Sequence, residues 1–309
     1  MASRKKFDVL GLGCAAVDDI LYLEQYPPAD AKVQTLRRER HCGGLTATAL
    51  VAAARLGAKC AFAGTLGYDE GSDFVLETFR REGVDIRHAV RKKGAGPVRS
   101  VIIVDEKACT RNIFADVSAV RGAHPTLPAR EVIESSRVLF LDFFGMTGNI
   151  RAARIARRTG VPVVSDLERT QLPRMKTLIG LIDHPIFSHR AATEWTGEAR
   201  PGAAVDKIWG ETSDTVIVTC GEEGLWFRSR AQRATQHLPA FDVKAVDTTG
   251  CGDVFHGAYA AALAAGMDAV KRIQFASGAA ALKATKHGGQ AGIPTRPVVE
   301  TFLRRHCGD

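Results

Sequence analysis

Short continuous apolar runs alternate along this chain with longer stretches whose apolar positions recur every three to four residues. Residues 7–12, 59–64, 137–143, 161–166 and 215–219 are of the first kind. Runs of that length predict strands buried on both faces. Residues 46–56, 73–82, 151–158, 258–265 and 269–285 predict helices, and Gly57 and Gly83 close the first two. A β-branched run at 241–246 predicts one further strand ahead of the alanine-rich helix. Strands alternating with helices imply βαβ units, hence an α/β fold with a mostly parallel central sheet and helices on both faces. Two stretches break the rhythm. Residues 20–23 with 33–40, and 97–104 with 110–114, pair as β segments. They predict a small sheet projecting as a lid, built from about 20–40 and 97–114, on a single domain spanning 1–309.

Composition narrows the class. Hydrophobic content of 45% and charged content of 25% are ordinary for a globular chain. The net charge of +8 suits an anionic ligand, but no basic run is interleaved with aromatics, so neither nucleic acid nor a membrane is an expected partner. Seven widely spaced cysteines form no Cys-x-x-Cys pair, which argues against a disulfide framework or zinc site and for a reducing, cytoplasmic setting. Residues 1–14 imitate a secretion signal, but Asp8 interrupts an apolar stretch that is already too short.

The most informative segment is Asp247-Thr-Thr-Gly-Cys-Gly-Asp-Val-Phe-His-Gly257. Gly250 and Gly252 lie where a turn should open a helix, with Asp253 at its start. A helix start leaves backbone N–H groups unpaired and carries partial positive charge, so it suits a phosphate. A carboxylate in the same place can take a proton from a hydroxyl. Together they are the minimum equipment for phosphoryl transfer to an alcohol. An Asp N-cap on a glycine turn would leave the same trace. The spacing fits neither a Walker loop nor a dinucleotide fingerprint.

Other pieces are weaker alone. Gly43 and Gly44 precede the first helix and allow backbone and ligand to approach. Asp18 follows the first strand, at the end of the sheet where α/β folds bind ligands. Val218-Thr-Cys-Gly-Glu-Glu-Gly224 is a strand running into a glycine turn, which a plain hairpin would also explain. His41 and His256 flank the glycine motifs without a second ligand at metal spacing, so packing or capping is expected of them.

Taken in order from Asp18 to Pro294, these features resemble the ribokinase, or PfkB, family of carbohydrate kinases, nearest in texture to its sulfofructose kinase and ketohexokinase-like branch. The resemblance implies a ribokinase-like fold and an ATP-dependent sugar kinase acting on a hydroxyl of a ketose or related sugar. Asp253 would be the base, and the amides of Gly250, Cys251 and Gly252 the anion hole. Asp18, Gly43, Gly44 and Thr48 would meet the sugar. Thr219, Gly221 and Gly224 would line the nucleotide phosphates and ribose, with Ser277 near the base. Mg2+ would arrive with ATP. Asp247 and Thr249 match positions where many members hold a monovalent cation such as K+. Lys32, Arg99 and Arg111 could meet an anionic sugar group, although solvated surface is the ordinary fate of such side chains. The lid would exclude water and could support a homodimer.

The departures are specific. The family's Asn-x-x-Glu should fall at 188–191, which here is Ser188-His-Arg-Ala191; Asp166 and Glu168 are candidate replacements. Thr48 and Ala16 replace common Asn residues, which counts against ribose and adenosine. Cys251 replaces the usual Ala and is expected to pack rather than react. A nucleoside kinase of the same family and a non-catalytic sugar or nucleotide sensor remain as alternatives.

Overall fold

A computed structural model describes residues 5–108, 110–210 and 213–307. The start of the signal-like segment, Met1–Arg4, and Cys109 lie outside them. The main sheet has eight strands. Its order from one edge is Gln236–Leu238, Leu225–Ser229, Thr215–Thr219, His184–Ser188, Val163–Leu167, Ser136–Leu141, Phe7–Leu12 and Cys60–Phe62. All run in one direction except Leu225–Ser229, which pairs antiparallel with both Thr215–Thr219 and Gln236–Leu238. Alternate residues of each strand feed two separate cores. Val138 and Phe140 pack on one side with the helices Leu45–Arg55 and Cys251–Ala264, while Leu139 and Leu141 pack on the other with Met146–Arg158. Burial on both faces is why these strands are continuously apolar. Each fully buried Leu or Phe contributes about 1.5–3 kcal/mol.

A second sheet of four strands orders Arg37–Gly43, Ala16–Leu23, Val98–Asp105 and Thr110–Asp116. Its centre is a parallel pair, with Asp18 opposite Ser100 and Ile20 opposite Ile102. The outer strands are antiparallel, placing His41 opposite Asp18, and Arg111 opposite Val104. A third, very short sheet joins Val90–Arg91, Gly64–Leu66 and Gly122–Ala123. Among the described residues, no helix is long and apolar enough to cross a membrane.

The structure departs from the sequence expectations in four places. Residues 59–64 divide at Ala63 between the main sheet and the short sheet. The run 241–246 forms no strand. Instead Phe241 packs edge-on against Phe302 and His306, at 5.1 and 5.8 Å, and Val246 N–H bonds to Ala284 O at 2.7 Å. Phe241 finds a helix surface rather than a sheet neighbour, while Val246 stays exposed. The alanine-rich helix begins at Cys251, two residues ahead of Asp253, where its start is expected. Asp18 is not in a loop but within a strand of the second sheet.

Candidate active site

Val246 and Asp247 cross the C-terminus of the helix Ala269–Ala284, where both N–H groups bond to Ala284 O, at 2.7 and 3.1 Å. Asp247 then organises the turn that follows. Its Oδ1 accepts the Thr249 N–H at 2.8 Å and its Oδ2 accepts the Gly288 N–H at 2.8 Å. Burial works against this carboxylate, but the bonds from Thr249 and Gly288 and the charge of Lys283 outweigh it and hold its pKa below the ordinary value. Gly250 sits at φ 74, the left-handed region that glycine enters at no steric cost, and caps the helix Cys251–Ala264. The Cys251 N–H bonds to Thr248 O at 3.2 Å. The N–H groups of Gly250, Gly252 and Asp253 have no protein acceptor among the described residues. Three open amides at a helix start suit an anion; of the expected set, the Cys251 N–H is already bonded and the Asp253 N–H is open. The Cys251 thiol has its pKa pushed up by burial first, which makes it a packing group and not a nucleophile.

Asp253 lies in the first turn of this helix. Its carboxyl is hydrogen-bonded to that of Asp166, at the end of the strand Val163–Leu167. Burial raises both pKa values well above the ordinary range; the charges of Asp166 and Glu168 push Asp253 further up, while for Asp166 the charges of Glu168 and Asp142 add to burial and the bond with Asp253 opposes it. Two carboxyl groups so placed share a proton and titrate as a pair. Glu168, one residue beyond the strand, is exposed. His256 donates from Nδ1 to Gly252 O at 2.6 Å, and the same nitrogen lies 3.5 Å from Asp166. Burial keeps this imidazole neutral by lowering its pKa. It stiffens the helix start, as the capping expectation holds.

Of the residues expected to meet the sugar, Asp18, Gly43 and Gly44 adjoin one another. Asp18 lies against Gly43 so closely that a Cβ there would come within 2.2 Å of Asp18 Oδ2. Gly44 has φ 92, and a Cβ would meet the backbone of Ala15 and Ala16 at 2.7–2.8 Å. Burial raises the Asp18 pKa, and a bond from the Ser100 side chain opposes it. The charge of Asp18 in turn adds to the upward push on Asp253, which links the two sides electrostatically. By register, Asp18, Ser100, His41, Ile102 and Arg111 share one face of the second sheet. Arg111 reaches Asp247 Oδ1 at 3.9 Å.

Three predicted contacts lie elsewhere. Arg99, one residue from Ser100, is on the opposite face and pairs with Asp69 at 3.1 Å. Lys32 is exposed in the segment between the first two strands of the small sheet. Thr48 is buried and its hydroxyl accepts from Gln290 Nε2 at 3.3 Å. On the nucleotide side, Thr219 ends its strand and donates to Phe187 O at 3.3 Å. Gly221 and Gly224 form the turn of the hairpin that follows, and Ser277 is half-buried midway along Ala269–Ala284. Ser188 caps the helix His189–Thr196 by accepting the Ala191 N–H, and Ala191 is buried.

Asp142, Ser100 and Lys283 escaped the sequence reading. Asp142 ends a buried strand and is itself fully buried. It accepts from Cys14 N–H at 2.7 Å, Thr46 Oγ1 at 2.8 Å and Phe144 N–H at 2.7 Å. Burial still pushes its pKa up to about 6. An Asp closing an apolar parallel strand was the available signal. Lys283 is fully buried and donates from Nζ to Asp247 O at 2.8 Å.

The implied metals fare differently. Mg2+ needs only one or two carboxylates beside substrate phosphates, and the exposed Glu168 next to Asp253 fits that role. Among the described residues, no three metal-binding side chains converge to hold a metal unaided. K+ at Asp247 and Thr249 does not fit. All three acceptor oxygens of Asp247 are bonded, one of them by an ammonium. Two unit charges about 4 Å apart repel by about 4 kcal/mol at an effective dielectric of about 20.

Residues 8–296 match the pfkB family of carbohydrate kinases. The chain belongs to this family. It is therefore an ATP-dependent sugar phosphotransferase. It is 29% identical to the ribokinase of Haemophilus influenzae over 272 residues, covering 84% of this chain and 87% of that one. A provisionally assigned ribokinase from Agrobacterium tumefaciens superposes with a TM-score of 0.89 at 27% identity, over 96% of this chain and 97% of that one. Arabidopsis thaliana ribokinase, solved with ribose and ATP, shares the fold at a TM-score of 0.85 and 21% identity, over 96% and 99%. The neighbours thus share the large, mostly parallel sheet and the small second sheet.

Proposed function

We propose that this kinase transfers the γ-phosphoryl group of ATP to a primary hydroxyl of a ketose or related small sugar. The observation that carries the reading is the meeting, on one helical turn, of the Asp253 carboxylate with the open amides of Gly250, Gly252 and Asp253. The sugar binds between Asp18 and the Gly43–Gly44 turn, where a carboxylate accepts from two adjacent hydroxyls. Asp253 takes the proton of the attacking hydroxyl, whose oxygen bonds to the γ-phosphorus as the bond to the leaving ADP oxygen breaks. The amides gather the charge on the equatorial oxygens of the moving group, as electrostatic catalysis requires. Arg111, on the face that carries Asp18, adds positive charge beside the loop. The small sheet acts as a lid that keeps water from competing with the sugar. Glu168 is the carboxylate that would hold Mg2+ bound to ATP, and the ion would supply positive charge against the phosphates.

The ribokinase names of the relatives favour an aldopentose as the competing substrate. The buried, Gln290-bonded Thr48 favours a different sugar, because its hydroxyl is already committed to the protein. A panel of ribose, ketoses, phosphosugars, sulfosugars and adenosine, assayed with ATP for ADP release and product, tests the assignment. A ketose or an anionic ketose should give the highest kcat/KM. Ribose or adenosine as the best substrate would reject the ketose reading, and ATP turnover indifferent to every acceptor would reject the kinase reading.

A further inference from the structure

The loop that carries the anion hole sits in a strongly negative environment. The last carbonyl of the helix Ala269–Ala284 is there, where the helix dipole places partial negative charge. The Asp247 carbonyl and carboxylate are there too. A half-buried set of oxygens of this kind favours a cation beside it. Lys283, in the last turn of that helix, is fully buried and its Nζ lies 2.8 Å from Asp247 O. Arg111 is the other nearby cation, but it belongs to the small sheet, is 39% exposed and stands 3.9 Å away.

We propose that Lys283 is the built-in cation of the anion-hole loop, doing through a tethered ammonium what a bound monovalent ion would otherwise do, so that turnover is independent of K+. The ammonium fixes Asp247 O, Asp247 fixes Thr249 and Gly288 through its carboxylate, and that arrangement holds Gly250 in the conformation that opens the helix. Lys283 touches neither substrate nor reacting atoms. It is a positioning residue. Burial lowers its pKa, and the neighbouring Asp247, Cys251 and Asp253 favour its charged form.

The inference rests on the kinase reading of this loop, and its test separates the two. The full chain is assayed with its best sugar in KCl and in tetramethylammonium chloride at equal ionic strength, and thermal unfolding is measured in the same pair of salts. The wild type should change kcat by less than about twofold and keep its Tm, while K283M should lose about tenfold in kcat without K+ and regain most of it in KCl or ammonium chloride. K283M should also gain Tm in KCl, a readout that needs no sugar. K283Q serves if K283M does not fold, and the wild-type salt comparison stands without either variant. Strong stimulation of the wild type by K+, or a folded K283M as active as the wild type and indifferent to K+, would overturn the proposal.

Discussion

The two sides of the cleft are held by different means. On the phosphoryl side the loop groups come from nearby chain and are fastened from below, although Asp166 reaches Asp253 from a distant strand. Asp247, Thr249, Gly250 and Asp253 are consecutive or nearly so, and Asp247 is bound by partners only 2, 36 and 41 residues away. On the sugar side Asp18 draws on Ser100, and Arg111 joins their face only because three strands pair in one register. The edge strand among them is open to solvent, and every residue of Thr110–Asp116 is exposed. A contiguous loop fixes chemistry locally. A register fixes specificity across long stretches of chain, where it can vary without disturbing the reaction.

Substitutions on each side should break this contrast in different kinetic constants. The largest effect is expected for D253N, which should lower kcat by about 10²–10⁴-fold, the usual worth of a general base. Its ATP affinity by calorimetry should stay near that of the wild type, and near-normal sugar phosphorylation would remove Asp253 from the base role. G43A comes next. The added Cβ must displace the Asp18 carboxylate, so kcat/KM for sugar should fall by about tenfold to a hundredfold, because small misplacements are costly. The KM for ATP should hold, and an equal loss on both substrates would contradict the division of the cleft. Third is the pH dependence. The base must be unprotonated, and its raised pKa sets the acid limb of kcat/KM above the ordinary carboxylate range. In D166N the neighbouring charge is gone, Asp253 ionises more readily, and the limb should move to lower pH. An unmoved limb would mean that the two carboxyls do not titrate together. The smallest effect belongs to S100A. Loss of one hydrogen bond to Asp18 is worth about 0.5–1.5 kcal/mol, or about two- to tenfold in kcat/KM for sugar with kcat little changed.

The same contrast governs what could be seen in the sequence. The strands 7–12 and 215–219 coincide with the observed Phe7–Leu12 and Thr215–Thr219, because burial on both faces leaves an unbroken apolar run. The anion-hole segment was legible because its glycines and its Asp are contiguous. Ser100 was not, since only strand pairing brings it to Asp18. Arg99 and Arg111 look alike in sequence, yet alternation along the strands sends them to opposite faces. Lys283 lies on a buried stripe with Ala276 and Ala279, and a lysine there is a signal in itself. The run 241–246 misled because β-branched and aromatic residues also serve in extended segments that pair with no strand.

Asp142 ties together the chain at Cys14, Thr46 and Phe144, positions 128, 96 and 2 residues from it. Three separate stretches thus meet on one side chain, and leaving out any one strands a charge in the dry interior. Its proton affinity adds a second consequence. A carboxyl that titrates near 6 in the native protein and at 3.8 when released binds a proton more tightly in the assembled form. Mild acid, passing down through that window, should therefore tighten this junction relative to the unfolded chain, and alkali withdraws the advantage.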